Sequence, residues 1–445
     1  MKNSLSLRRL TLKPATLFMI RTLSSTAFFL FILLFFTGSP VYSQNNPFVF
    51  GDPLPDAPEL AYRGNFQVGV QTLELLHKNQ PDILNYKENE TPEYDRPLTV
   101  EVWYPAAKSP DAQRVTYQDY LGSPNDPDRP LEAFSFSGRA IRNATPNDSE
   151  GPFPLIIVSH GYPGSRFLMT YLTENLASKG YVVVAIDHTE STHADAGKFA
   201  STLYHRALDD FFVLNEMARL NESGSDHFLS GMVDAANTAL IGYSMGGYGV
   251  LNAGGAGYSP GFVEAFSQMT GGSEKLAERS LADPAYSGTV DSRVKAIVAF
   301  APWGMQRGVW DAEGLENLRI PTFLIAGSED DISGYEEGVK AIYEGAVNTN
   351  RYLLTYLNAR HNVAPNPPVS PDLDQADYMH YSEPVWKERR INNINQHFVT
   401  AFLGIHLKGL DYESFLDLSA NSLEETWKGF VPRTSIGLEL RHAKP

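Results

Sequence analysis

Apolar positions recur along the chain in two rhythms. Short runs rich in Val, Ile, Leu and aromatic residues stand at 66–76, 98–104, 155–158, 181–186, 239–241, 294–300, 322–326 and 351–357. The first two alternate apolar with polar residues, as strands with one wet face do. Several later ones are unbroken apolar runs, as expected of parallel strands covered on both faces. Between them, 165–178, 203–220, 245–253, 335–346 and 391–407 fit helices. Strands interleaved with helices predict an α/β fold: an eight-stranded, mostly parallel sheet with helices on both faces. Three stretches break the rhythm. Residues 44–65 read as a surface arm, and 106–152, rich in Pro, Asn, Asp and Ser, as an excursion over the surface. Residues 255–291 read as a second insertion with a helical piece around 274–281. Neither insertion is long enough for a separate domain, so 44–445 is expected to fold as one.

The first 43 residues follow another pattern. Lys2, Arg8, Arg9, Lys13 and Arg21 make a basic start, and 27–36 is an unbroken apolar run. Gly38 and Pro40 follow, then Val41-Tyr42-Ser43, with small or apolar residues at the −3 and −1 positions. This is the layout of a signal peptide cleaved after Ser43, with an uncleaved amino-terminal anchor as the alternative reading, and it predicts a secreted or periplasmic protein. A spanning helix needs about 20 apolar residues, so no stable membrane span is expected.

Composition narrows the field. The 445 residues are 42% hydrophobic and 20% charged, as a globular chain is, and carry a formal net charge of −16. Residues 1–43 hold basic but no acidic side chains, so the remainder is more acidic still. That excess disfavours nucleic acid and anionic lipid as partners, since phosphate needs a basic face. There is no Cys, which excludes disulfides, thiolate catalysis and cysteine-based metal sites.

Candidate chemistry begins at Gly242-Tyr243-Ser244-Met245-Gly246, a G-x-S-x-G pattern. Five residues alone are weak evidence, but an apolar strand runs into them and a helix rich in small residues runs out. That is the strand–turn–helix elbow that exposes a serine hydroxyl at the carboxyl edge of a sheet, and it makes Ser244 the candidate nucleophile. The flanking glycines suit a turn too tight for a Cβ.

A serine hydroxyl attacks only when a base takes its proton, and histidine suits that near neutrality. Of eleven histidines, His361 follows directly on the last apolar strand, in a loop that can reach back over the sheet. The acid that orients it is expected at the carboxyl end of the preceding strand, in Gly327-Ser328-Glu329-Asp330-Asp331; Asp330 is favoured, with Asp331 as the alternative. The order Ser244, Asp330, His361 is nucleophile, acid, histidine. A tetrahedral oxyanion needs preorganised N–H donors. The Met245 N–H is one. The other is expected from the loop Ser159-His160-Gly161-Tyr162-Pro163-Gly164, at Tyr162 or failing that Gly161, since Pro163 has no N–H.

Taken together, VEVWYPA, FPLIIVSHGYPGSR, LASKGYVVVAIDH, IGYSMGG, FAPWG, IAGSEDD and ARHN resemble the dienelactone-hydrolase-like α/β-hydrolases over about 65–410. That group neighbours the platelet-activating-factor acetylhydrolases and the cutinase-type polyester hydrolases. The resemblance implies the α/β-hydrolase fold and ester hydrolysis. Two departures qualify it. Dienelactone hydrolases of the usual type have a cysteine nucleophile, which this chain lacks. Plasma-type platelet-activating-factor acetylhydrolases carry their acid just after the sixth strand, where this chain reads Ala301-Pro302-Trp303. The acid therefore matches Asp330, as in the cutinase-type enzymes. By the same resemblance, Tyr162, Met245 and Trp303 match positions that line the acyl site.

His188-Thr189-Glu190-Ser191-Thr192-His193-Ala194-Asp195 holds residue types that suit zinc, but no helix sets its two histidines on one face, and it is not read as a metal site. The resulting reading is a serine esterase acting on a small-molecule or polymeric ester through an acyl-serine, without a cofactor. A serine peptidase and a catalytically silent binding protein on the same fold are the alternatives.

Overall fold

All eight predicted strands form, and three more join them in one sheet. The computed structural model describes residues 48–445 apart from 88–89, 110, 198, 223, 225 and 284–289. The predicted signal peptide, 1–43, lies outside the described residues. The strands are β1 (Gln67–Pro81), β2 (Glu93–Ala106), β3 (Arg114–Leu121), β4 (Glu132–Arg142), β5 (Phe153–Ser159), β6 (Val182–Asp187), β7 (Val233–Tyr243), β8 (Val294–Phe300), β9 (Thr322–Gly327), β10 (Arg351–Tyr356) and β11 (Leu438–Ala443). Their order is β11-β10-β9-β8-β7-β5-β6-β2-β1-β4-β3.

The expectation of eight strands is thus corrected to eleven among the described residues. The stretch read as a surface excursion forms the antiparallel pair β3–β4, and its second strand pairs with β1 in parallel at Gly69 and Val70. β3, RVTYQDYL, strictly alternates exposed and buried residues. Arg114, Thr116 and Gln118 lie on its exposed face, while Asp119 is buried on the other face with Val115, Tyr117 and Leu121. β11 closes the far edge, antiparallel to β10.

The helices are α1 (Thr170–Ser178), α2 (Phe199–Leu220), α3 (Met245–Ala253), α4 (Pro260–Met269), α5 (Ala312–Glu316), α6 (Ala341–Gly345), α7 (Gln375–Tyr381) and α8 (Glu388–Lys408). The stretch 274–281, expected to hold a helical piece, contains one 3₁₀ turn at Ala277–Arg279. Successive strand residues point to opposite faces, and each face has its own core. Ile156, Val158, Ile241, Val298 and Ile325 pack with Leu172 of α1 and Phe398 of α8. Leu155, Ile157, Leu240, Ile297 and Leu324 pack with Val213 of α2 and Leu251 of α3.

Strands β6, β5, β7, β8, β9 and β10 run parallel. Their registers pair Ser159 with Gly242, Tyr243 with Phe300 and Tyr356 with Gly327. The carboxyl ends of five strands therefore meet along one edge, where open α/β sheets bind ligands. No helix among the described residues is long and apolar enough to cross a membrane.

Candidate active site

Ser244 stands between β7 and α3 with φ +52° and ψ −110°. A non-glycine residue adopts positive φ only when its surroundings hold it there. Here the Ser244 N–H donates to the Phe300 carbonyl at 2.9 Å, and its carbonyl accepts from Tyr248 N at 3.0 Å and Trp303 N at 3.1 Å. The glycines on either side are required by close approach. A Cβ on Gly242 would lie 2.2 Å from the Gly246 carbonyl oxygen, and one on Gly246 would lie 2.0 Å from that of Ser159. The elbow is thus pressed against the end of β5, beside the loop that follows it. Because α3 begins at Met245, the Met245 N–H is one of the first-turn donors without an intrahelical acceptor.

His361 and Asp330 meet across the ends of β9 and β10. The imidazole Nδ1 lies 2.9 Å from Asp330 Oδ1 and 3.0 Å from Oδ2. Since a carboxylate only accepts, Nδ1 carries the proton and Nε2 is left as the basic nitrogen. Asp330 Oδ1 also accepts from the backbone N–H of Ile332 at 2.9 Å and Ser333 at 2.8 Å. Burial alone would push the Asp330 carboxyl up. The hydrogen bond and charge of His361 and the two backbone donors outweigh it, and the carboxyl is held below its usual range. Asp331, the alternative acid, turns outward and pairs with Arg360 at 2.6 Å, both side chains being about half exposed.

Ser244, His361 and Tyr162 border one cavity of about 500 Å³. An added Cβ on Gly161 would stand 3.6 Å from Ser244 Cβ, which brings the Ser159–Gly164 loop onto the nucleophile candidate. Trp303, expected on the acyl side, is not among the residues lining this cavity. Its ring packs edge-on against Phe199 at 5.4 Å and Tyr248 at 6.2 Å, and Tyr162 meets the same Phe199 edge-on at 5.4 Å. Its tie to Ser244 runs through its backbone N–H. Phe199, the first residue of α2, thus contacts the rings of both Tyr162 and Trp303.

Sequence reasoning missed one side of the cavity. Helix α7 and the turn after it supply Met379, His380, Ser382 and Pro384. The Asn362 amide fastens this segment by donating to the Met379 and Ser382 carbonyls at 2.8 and 2.9 Å, while its oxygen accepts from the Tyr243 hydroxyl at 2.9 Å. Buried Glu383 accepts the Arg360 N–H at 2.8 Å, just before His361. A signal for α7 was present: Asp374 caps it by accepting from Ala376 N at 2.9 Å.

The zinc-like segment is spent on other bonds. His188 bonds Ser159 and Asp209, and Asp195 accepts from Glu190 N and Thr192 N. Among the described residues, no three His, Asp or Glu side chains are grouped to hold a metal.

Comparison with known proteins adds to this geometry. Residues 132–281 match the PETase family, described as PET hydrolase-like. That span includes Tyr162, Ser244 and Met245 and stops short of Asp330 and His361. Cutinase est1 of Thermobifida alba is 24% identical over 236 residues, 53% of this chain and 61% of that protein. Cutinase cut1 of Thermobifida fusca is 23% identical over 236 residues, 53% of this chain and 57% of its own length. The chain thus spans about three fifths of the curated relatives it matches. Among solved structures, a ferulic acid esterase from Streptomyces cinnamoneus superposes with a TM-score of 0.51 at 22% identity, covering 80% of this chain and 94% of that one. This chain has the α/β-hydrolase fold and is related in sequence to the cutinase-type polyester hydrolases.

Proposed function

We propose that this protein hydrolyses carboxylic esters through an acyl-serine intermediate on Ser244. The observation that carries the reading is the pairing of His361 Nδ1 with buried Asp330 while His361 and Ser244 border the same cavity. In this reading His361 Nε2 takes the Ser244 proton as the oxygen attacks the ester carbonyl. Asp330 holds the imidazole in the right tautomer and stabilises the imidazolium that forms. The oxyanion is received by the N–H groups of Met245 and Tyr162. Collapse breaks the C–O bond, and His361 returns its proton to the departing alkoxide. Water, activated by the same imidazole, then releases the acid and restores Ser244. The likeness to cutinases and to a ferulic acid esterase supports ester substrates, and the motif set supports placement near the dienelactone-hydrolase-like group. The basic, apolar amino-terminal segment supports export.

The test is turnover of p-nitrophenyl esters from acetate to palmitate beside a peptide substrate, with fluorophosphonate labelling of the wild type and Ser244→Ala. Ester turnover and a covalent adduct are expected in the wild type only. Peptide cleavage without ester cleavage, or ester turnover that survives Ser244→Ala, overturns the proposal.

A further inference from the structure

The loop between β5 and α1 is held from beneath by a buried polar chain. Asp209 receives Arg96 through two bonds of 2.9 Å and meets His188 Nδ1 at 2.9 Å; His188 Nε2 meets Ser159 Oγ at 2.7 Å. This is a second Ser–His–Asp sequence of contacts, but all three side chains are buried, so no substrate reaches them. What it fixes is the end of β5 and, through the His188 backbone, the next residue. The His188 N–H lies 3.2 Å from His160 Nε2, and His160 Nδ1 lies 2.6 Å from the Gly161 carbonyl oxygen. A carbonyl only accepts and a backbone N–H only donates, so the His160 tautomer is determined: proton on Nδ1, lone pair on Nε2. Burial, with Arg206 and His188 nearby, holds this imidazole well below its ordinary value and therefore neutral. Arg206 Nη1 donates to the His160 carbonyl at 2.7 Å, and a Cβ on Gly164 would lie 2.8 Å from Nδ1, so the ring has little room to turn.

The Gly161 carbonyl and the Tyr162 N–H belong to the same peptide plane. That peptide is trans, so the two groups point in opposite directions. Gripping the oxygen aims the N–H. It also polarises the amide and strengthens the N–H as a donor.

We propose that His160 is a positioning residue for the reaction: its Nδ1–H, by holding the Gly161 carbonyl, aims the Tyr162 N–H at the oxyanion. This rests on the proposed esterase reading, in which Tyr162 supplies that donor. His160 itself touches no reacting atom.

Two substitutions separate the halves of the imidazole. In His160→Asn the amide nitrogen stands where Nδ1 was and keeps the bond to Gly161. In His160→Gln the amide oxygen stands where Nε2 was and keeps the bond from His188 N–H, while the Gly161 carbonyl is released. Each leaves one buried partner unpaired, so a merely structural role lowers stability and activity in both alike. With kcat counted per fluorophosphonate-titrated site, His160→Gln is expected to lose about tenfold or more in kcat with KM little changed. Removal of a whole oxyanion donor costs about 10²–10³. His160→Asn should keep the larger part of kcat. Equal kcat in the two variants, a loss that follows their thermal melts, or a loss confined to KM overturns the positioning role. If Ser244→Ala also retains turnover, the esterase reading falls instead. The wild type carries a check that needs no variant. In ¹⁵N-histidine spectra the His160 Nδ1–H signal should shift when Ser244 is phosphonylated, and an unmoved signal overturns the proposal.

Discussion

Asp330 meets His361 with both carboxylate oxygens, at 2.9 and 3.0 Å from Nδ1, whereas adjacent Asp331 reaches outward to Arg360. Two carboxylates joined by one peptide bond thus have opposite surroundings, one buried and fully bonded, the other solvated. Asp330→Asn is expected to misorient the imidazole or favour its wrong tautomer, lowering ester turnover by up to about 10⁴. Asp331→Asn breaks only an exposed pair worth about 0–1 kcal/mol and should change kcat little. Steady-state kinetics of the two variants decide between them, and the reverse order would move the acid to Asp331.

Ser244→Ala removes the attacking oxygen in the proposed mechanism but keeps the N–H and carbonyl of residue 244, whose bonds to Phe300, Tyr248 and Trp303 hold the elbow. Turnover should fall by about three orders of magnitude or more while the melting temperature stays within a few degrees. Wild-type-like turnover in a clean preparation contradicts the nucleophile assignment.

Two buried aspartates should pull stability in opposite directions with pH. The Asp330 carboxyl is held down in the folded chain, so its contribution is present above the unfolded value near ~3.9 and is lost as pH falls through the folded value. Asp119 is pushed up to about 7, chiefly by burial, which outweighs the hydrogen bond from Ser165. Folding therefore favours its protonated form. That contribution is complete below ~3.9 and is lost as pH rises through about 7, at most about 4 kcal/mol. Asp119→Asn keeps an acceptor for Ser165 and cannot ionise. Its stability relative to wild type should rise between pH 4 and 8, as read by denaturant titrations across that range. A constant difference would show that Asp119 titrates alike in both states.

The glycines offer a contrast in kind. Gly246→Ala drives a methyl to 2.0 Å from the Ser159 carbonyl oxygen and must displace either the elbow or the end of β5. It should cost several kcal/mol and most of the activity. Gly261 lies exposed in α4 with nothing within 4 Å of an added Cβ and no positive φ, so Gly261→Ala should stabilise by about 0.4–1 kcal/mol without touching kinetics. Thermal melts of the two proteins provide the comparison.

Much of this molecule is legible one segment at a time. Within 44–445, unbroken apolar runs fit strands hidden on both sides, and a glycine-flanked serine between such a run and a helix rich in small residues fits a sharp turn. The places of Ser244, His361 and the Asp330–Asp331 pair at the ends of β7, β10 and β9 follow from those local rules, and so does their order along the chain. The β3–β4 pair escaped because strand alternation leaves half its residues polar, and composition reads like a loop when the period is ignored. Helix α7 escaped because it is only seven residues long and buries few of them.

The choices between near-equivalent residues belong to the tertiary structure. Asp330 rather than Asp331 faces His361 because the N–H groups of Ile332 and Ser333 hold Asp330 Oδ1, while Ser333 in turn donates to the Ala301 carbonyl beyond β8 at 2.8 Å. The Trp303 ring is met edge-on by Phe199, about a hundred residues away in sequence. The direction of the Tyr162 N–H depends on His160, and the ring of His160 on the backbone of His188. Each of these is a direction in space rather than a residue type. Directions of neighbouring side chains and peptide planes are set by partners from distant strands, so the chain alone lists the groups and only the packed sheet aims them.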